Sequence, residues 1–423
     1  LIKLFVMHVI VVGGGIIGLS SAYYLQQSGH QVTVIDQTGF LPNCSHGNAG
    51  YVCPSHFIPL ATPGIVKQGL RWMLNNRSPF YIQPRLNAEL IKWGWHFIRS
   101  ANAKQVAAAA IPLRDIALFS QLQYEHWNTL PGFQFAYEKK GLLEIFQTKE
   151  ALHHAEQTAA AANAIGLTGT CILSSEQLAA REPNIAIRAL GALYFPGDAH
   201  LYPAKLMEQL TQQLKANQVQ LHIPVQVTGF KTQQKQITGV YTNRGLFSAD
   251  AVVLAAGSWS SELTQQLNLS IPLVAGRGYS ITLENSPYHF EHPAVLVEGR
   301  VALTPMDGNK LRIGGTMEIT STKAPPHFNR VKGILQSVHQ FFPDINLPYP
   351  AENDIWYGYR PCSADGLPYI GKPAKWSNLV VATGHAMIGL SLGAGTGKLV
   401  SELVNEQPTS VNLSPFHPDR FSR

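Results

Sequence analysis

Apolar positions along this chain gather in runs whose spacing predicts the elements. After Met7, His8-Val9-Ile10-Val11-Val12 is β-branched and lacks polar alternation, which predicts a strand of a parallel sheet buried on both faces. Gly13-Gly14-Gly15-Ile16-Ile17-Gly18 follows, then a helical stretch over residues 19–28 that stops at Gly29. Gln31-Val32-Thr33-Val34-Ile35 predicts a second strand, closed by Asp36. The pattern of an apolar strand ending in small residues returns twice. It occurs at residues 251–257, before Ser258-Trp259-Ser260 and a helical run, and at residues 379–384, before a glycine-rich stretch. A last helix is expected over residues 397–405. Ile355-Trp356-Tyr357-Gly358-Tyr359 reads as a strand. Pro203 opens a helix, with Asp198 and His200 read as its capping side.

The first three elements form one physical unit. Gly13 permits a sharp turn out of the strand, Gly15 lets backbone approach a pyrophosphate, and Gly18 lets the helix pack closely on the sheet. The helix N-terminus presents N–H groups and a positive dipole end to phosphates, and Ile16, in the turn before it, is expected beside the cofactor. Asp36 is placed to accept from ribose hydroxyls, which disfavours a 2′-phosphate and fits either NAD or FAD.

The choice between them comes from the rest of the chain. Ligands of open parallel sheets sit at the carboxyl ends of the strands. Gly257, Gly384, Gly389, Leu390 and Ser391 are therefore expected beside the same ligand as the N-terminal glycines. A site built from both chain ends suits a flavin better than a nicotinamide, whose site is usually completed within one contiguous half. A helix start near Gly389 and Leu390 would aim its positive end at the flavin N1–C2=O region.

These stretches resemble the D-amino acid oxidase superfamily of FAD amine oxidoreductases, its bacterial D-amino acid dehydrogenase branch most of all. The resemblance spans nearly the whole chain. It rests on VIVVGGGIIGLSSAYYLQQSGHQVTVID, NAGY at residues 48–51, ATPG with RWML at 71–74, and GRGYSIT at 276–282. It continues through LRIGGTMEI at 311–319, GYRPCSADGLPYIG at 358–371, and NLVVATGHAMIGLSLGAGTGKL at 378–399. It implies an α/β fold: a Rossmann-like FAD-binding domain from residues 1–84, 200–270 and 355–423. An α+β substrate domain on an antiparallel sheet would comprise residues 85–199 and 271–354. It implies that Asn48, Ala49 and Gly50 pass the pyrophosphate and flavin, and that residues 225–227, with Val227 chosen, lie near the adenosine.

The implied chemistry is oxidation of an amine to an imine by hydride transfer from Cα to flavin N5, needing no covalent nucleophile. A small neutral or cyclic D-amino acid of the D-proline, hydroxy-D-proline or D-alanine type is expected. Glycine-type or sarcosine-type amines and an L-substrate are the alternatives. A quinone or other respiratory carrier is the expected electron acceptor. An oxygen-using oxidase and a flavin-binding accessory subunit are the competing readings.

Arg360 is the expected carboxylate ligand, because a planar fork grips a carboxylate bidentately. Its competing role is a structural pair with Asp354 or Asp365. The Tyr279 hydroxyl is the second choice, and Arg277 either contacts substrate or braces a loop. His56 and His385 are candidates at the amine, as bases or water holders, with a bystander role favoured for each. His46 raises the question of a covalent flavin link; Gly47 occupies the position that such a histidine would need, so non-covalent FAD is expected.

Composition narrows the class. Of the 423 residues, 45% are apolar and 14% charged, a globular balance with room for two domains. The four cysteines show no C-x-x-C spacing, which suits reduced thiols and a cytoplasmic protein without a metal site. No secretory signal is read, and residues 1–6 are taken as a possible extension before Met7. Residues 61–104 carry Lys67, Arg71, Arg77, Arg85, Lys92, Arg99 and Lys104 against Glu89 alone, interleaved with Trp72, Phe80, Tyr81, Trp93, Trp95 and Phe97. That mixture predicts peripheral attachment to the inner face of a membrane, or else a half-buried helix pair. Nothing matches a nucleic-acid module. His153-His154, in an alanine-rich helix, reads as a solvated face.

Overall fold

A computed structural model describes residues 6–38, 43–67, 69, 79–85 and 87–422. Two sheets face each other across a cleft. The first has six strands in the order Tyr369–Gly371, Leu379–Thr383, Ala251–Leu254, His8–Val12, Gln31–Ile35 and Gln220–His222. All neighbours are parallel except Tyr369–Gly371, which runs antiparallel to Leu379–Thr383. The β-branched runs are buried on both faces, as a covered parallel sheet requires.

One face of this sheet packs against helices Ile16–Gln27, Pro203–Ala216 and Gly393–Val404, through Leu19, Leu25, Leu206, Leu210 and Val400. The other face packs against a small antiparallel sheet (Val227–Gln233, Gln236–Thr242, Gly245–Ser248) and helix Ser260–Gln266, through Ile10, Val12, Ile237, Val240 and Leu263.

The second sheet has nine strands: Trp356–Ser363, Leu273–Leu283, Lys310–Ile319, Val301–Met306, Ala294–Leu296, Leu142–Phe146, Gly191–Phe195 and Cys171–Ser174, with Phe80–Ile82 added beside Lys310–Ile319. It is mostly antiparallel; Ala294–Leu296 and Phe80–Ile82 make its two parallel pairings. Helix Asn329–Phe341 covers one face with Val331, Ile334 and Val338 against Ile281, Leu303 and Ile313.

Three elements cross the expected domain boundaries. Trp356–Ser363 pairs along its whole length with Leu273–Leu283, Gly276 opposite Arg360, so it extends the large sheet. Phe80–Ile82 joins that sheet as well. Helix Ala103–Asn128, expected with the substrate domain, instead packs on helix Gly393–Val404 through Leu113, Ile116 and Tyr124. Ser120 Oγ also accepts the Gly395 N–H at 3.0 Å.

Asp198 is not a helix cap. Tyr202 precedes the helix at Pro203, and Asp198 is buried, accepting hydrogen bonds from the Ser55 N–H and hydroxyl. His200 is buried in a short strand pairing with Tyr51. His153 and His154 are exposed. The last helix begins at Gly393, four residues before the expected start, and Gly389 and Leu390 lie in the turn before it.

Candidate active site

A cavity of about 1180 Å³ lies between the sheets, lined from both. At one end Asp36 closes the second strand. Its carboxylate accepts from Gly14 N–H at 2.8 Å and from Thr38 N–H at 2.9 Å, which fixes it at the rim. Val227 lies on the same wall, and the Val225 N–H donates to the Asp36 carbonyl at 2.8 Å.

The glycines of the fingerprint divide their roles. Gly18 does not line the cavity; a Cβ there would collide with the Gly13 carbonyl, so it serves the close approach of helix to strand. Gly13 has φ +112° and lines the cavity. A Cβ on Gly15 would meet only Ser45 Oγ, at 3.6 Å, and the rest of the space beside it is open cavity. Ile16 lines the cavity while its N–H is held by Ser45 Oγ at 3.0 Å.

Asn48 and Ala49 line the middle, as do Gly257, Gly389, Leu390 and Ser391. Gly50 and Gly384 do not. Both take positive φ in turns packed against protein, Gly50 against the Leu201 carbonyl and Gly384 against Tyr369, so their glycines are required by the loops themselves. Ser391 Oγ accepts the Cys53 N–H at 2.9 Å. Among the described residues, nothing accepts from the backbone N–H groups of Gly389, Leu390 and Ser391. Buried donors of that kind need an acceptor. Open space beside Gly15, the rim carboxylate and these waiting donors together fit a long dinucleotide carrying an acceptor-rich ring.

Opposite stands Arg360. Its side chain lines the cavity and lies over Gly278, whose missing Cβ leaves the space for the guanidinium. One terminal nitrogen donates to the Thr316 carbonyl at 2.6 Å. Burial pulls its pKa below the usual arginine value. Neither Asp354 nor Asp365 pairs with it: Asp365 is held by Arg420 at 2.8 Å, and among the described residues no carboxylate salt-bridges Arg360.

Tyr279 departs from expectation. Its ring reaches the cavity, but its hydroxyl donates to Glu318 at 3.0 Å and accepts the His327 N–H at 2.7 Å. Arg277 is fully buried, pairs with Glu318 at 2.9 Å, and donates to the Ala324 and Pro325 carbonyls; it braces that loop. His56 and His385 both line the cavity. Burial lowers His56 to about 4 and His385 to about 3, so both rings are neutral near pH 7. His385 Nε2 stands 3.1 Å from Thr396 Oγ1. His46 is not among the lining residues; its Nδ1 lies 3.2 Å from Asn43 Oδ1.

Several site residues were not foreseen. Arg312 donates to the His46 and Asn48 carbonyls at 2.6 and 2.8 Å and so holds the loop that enters the cavity. An arginine inside the apolar strand run Leu311–Ile313 was its signal. Gly278, Thr316, Glu144 and Arg300 also belong to the site. Among the described residues, no group of three metal-ligating side chains occurs.

A doubly layered fold with a helix-end pyrophosphate cradle, a cavity shared with a second sheet and a half-buried cation in that cavity defines a dinucleotide-dependent oxidoreductase. The model of the FAD dependent oxidoreductase (DAO) family matches residues 8–403, and the chain belongs to that family. Its cofactor is FAD. The D-amino acid dehydrogenase of Granulibacter bethesdensis is 30% identical over 426 residues, covering 98% of this chain and all of that protein. That of Neisseria meningitidis is also 30% identical, over 98% of this chain and 100% of its own. Among solved structures, glycine oxidase from Geobacillus kaustophilus superposes with a TM-score of 0.77 at 24% identity, over 98% of both chains. L-proline dehydrogenase from P. horikoshii gives 0.73 at 18% identity, over 99% of this chain and 98% of that one. At such identities these two establish the fold.

Proposed function

We propose that this enzyme is a dehydrogenase of small neutral or cyclic D-amino acids, of the D-proline, hydroxy-D-proline or D-alanine type. The observation that carries this reading is Arg360, a half-buried cation in the cavity that makes no salt bridge to a carboxylate among the described residues. A partly desolvated charge without a counter-ion is costly, and a substrate carboxylate lowers that cost. The guanidinium fork also fixes the substrate's orientation, which is the protein's part in hydride chemistry. The D-configuration rests on the names of the relatives.

Bound FAD, held by Gly13, Gly15, Ile16, Asp36, Asn48, Ala49 and the donors at residues 389–391, supplies the two-electron acceptor for the hydride from Cα. The chain's own residues do the rest. Arg360 holds the carboxylate. His56 and His385, both neutral, line the same cavity and put no further positive charge against the substrate's ammonium before it loses its proton. The imine formed from a primary amine then hydrolyses to a 2-oxo acid and ammonia.

Release of the electrons to a membrane quinone or similar carrier is supported by helix Ala88–Ser100. Trp93, Phe97 and Ile98 line the cavity, while Ile91 and Trp95 are 63% and 53% exposed, with Lys92 and Arg99 beside them. Exposed apolar residues flanked by cations suit an anionic lipid surface. Arg71, Trp72 and Arg77 of the same basic segment lie outside the described residues. Among the described residues no helix is long and apolar enough to cross a membrane.

The test is anaerobic bleaching of the flavin by a panel of D- and L-amino acids, with wild type and Arg360→Ala. D-substrates should bleach the wild type, and the variant should need at least a hundredfold more substrate while still binding FAD. Equal bleaching of both proteins would remove Arg360 from the site. Fast reoxidation by oxygen would replace the dehydrogenase with an oxidase.

A further inference from the structure

We infer that the apolar arm of the cavity beneath helix Ala88–Ser100 is the seat of the electron acceptor, an isoprenoid quinone entering from the bilayer, apart from the amino acid's seat at Arg360. This rests on the dehydrogenase reading above and names where its acceptor binds.

The arm is built from the end of the large sheet and one helix. Met317 pairs with Phe80 and Ile319 with Ile82, so the short strand Phe80–Ile82 widens the sheet with apolar side chains. Trp93 and Phe97, their rings stacked 4.8 Å apart, join these four residues in one hydrophobic cluster. All six side chains line the cavity. The indole N–H of Trp93 is already given to the Cys362 carbonyl at 3.0 Å, which leaves the ring as an apolar wall.

The inner end of the arm lies beside the reacting groups. The Thr316 carbonyl that accepts from Arg360 belongs to the residue before Met317. Ala386 joins the same cluster, and the helical turn Ala386–Ile388 runs directly into the donors at residues 389–391. The outer end is marked by Ile98, which lines the cavity and is nevertheless 61% exposed. Ile91, Trp95 and Ile98 stand at i, i+4 and i+7 of the helix, so the mouth continues the exposed stripe read above as lipid-facing. Gly94 adds width. It lines the cavity one turn from Ile98, and a Cβ there would meet nothing within 4 Å. Glycine weakens a helix interior, and here no close neighbour requires it; the open wall is what it supplies.

These walls choose the occupant. A zwitterionic amino acid would shed its hydration along them and receive no hydrogen bond in return. An isoprenoid chain gains free energy by the same burial. The electron count agrees: oxidation of a neutral amine to its imine releases two electrons and two protons, and a quinone takes up both to become the quinol. FAD is left as it began.

The test uses FAD-loaded enzyme, decylubiquinone as the acceptor and the amino acid that bleaches the flavin best. Gly94→Leu fills the arm from a position with room for a side chain, and Gly94→Ala controls for the stronger helix. Gly94→Leu should lower kcat/KM for decylubiquinone at least tenfold relative to the rate of anaerobic bleaching, and Gly94→Ala should lower it less than threefold. Ile98→Glu, at an exposed position that tolerates change, puts a charge in the mouth and should also lower that quotient at least tenfold. A quotient unchanged in either Gly94→Leu or Ile98→Glu, whether both reactions hold or both fall together, overturns the arm as the acceptor's seat and leaves the amino acid reading intact. So does a wild type that is bleached by amino acids yet does not reduce decylubiquinone. If no amino acid bleaches the wild type, the amino acid reading itself is wrong.

Discussion

A Cβ at residue 278 would collide with both terminal nitrogens of Arg360. Glycine on the strand Leu273–Leu283 is therefore what allows the guanidinium to lie across its neighbour and reach the Thr316 carbonyl. Gly278→Ala should displace the fork and raise the KM for the amino acid at least tenfold, leaving the absorption spectrum of bound FAD intact. Steady-state kinetics alongside a flavin spectrum checks this; an unchanged KM would show that the arginine does not need that notch.

Two glycines of one motif should fail differently. Gly15 faces open cavity with ordinary backbone angles, whereas Gly18 packs on the Gly13 carbonyl. Gly15→Ala is expected to keep the melting temperature of the apoprotein while weakening FAD binding tenfold or more. Gly18→Ala should lower the melting temperature itself, by an overpacking cost of about 1–3 kcal/mol. Calorimetry of the apoproteins together with FAD titration separates the two, and identical behaviour would undo the division.

Stability should depend on pH through Asp198. Burial raises its pKa from 3.8 to about 7. Between those values the folded chain keeps a proton that the unfolded chain has lost. The stability contributed by this group is thus complete below about pH 4 and disappears as pH rises through 7, at about 1.4 kcal/mol per pH unit. His56 and His385, lowered by burial, act in the opposite sense: they lose stability as pH falls below about 6.5. They are common to wild type and variant and cancel in a difference. Asp198→Asn should therefore gain on the wild type as pH is raised from 5 to 8 in denaturant titrations. A difference that stays flat over that range would mean that Asp198 is ionised in the folded protein throughout.

Membrane attachment is tested on Ile91 and Trp95. Replacing both with serine or glutamine should abolish sedimentation with vesicles of phosphatidylglycerol and phosphatidylcholine while amino acid oxidation with a water-soluble acceptor continues. High salt should weaken wild-type binding by screening Lys92 and Arg99. Co-sedimentation unaffected by the double change would turn attention away from this helix.

The dinucleotide cradle was legible because its signals are local: a strand, a turn, a helix and Asp36 fall within one short stretch. The strands at 251 and 379 were legible for the same reason, each an apolar run ended by small residues. What escaped depended on partners distant in sequence. Nothing inside Trp356–Ser363 says which sheet it joins; that is decided by its register with Leu273–Leu283. Tyr279 was read toward substrate, but the register between Arg277 and Tyr279 shifts, and the hydroxyl meets buried Glu318. Asp198 was read as a helix cap by its distance from Pro203, although its partner Ser55 lies on another loop. Gly50 and Gly384 were read toward the ligand, and the structure places both in positive-φ turns outside the cavity lining, since a glycine reports freedom of the backbone and not what passes beside it.

The central strand His8–Val12 has one neighbour close by in the chain and another, Ala251–Leu254, from its middle, with Leu379–Thr383 beyond. A ribosome making this protein thus delivers the phosphate-binding turn well before the donors at residues 389–391. Between the two the nascent chain holds only half a berth for FAD, and long-range pairings of this kind form slowly. A complete berth for FAD therefore exists only once both parts are in place, and flavin bound there stabilises the finished fold by mass action.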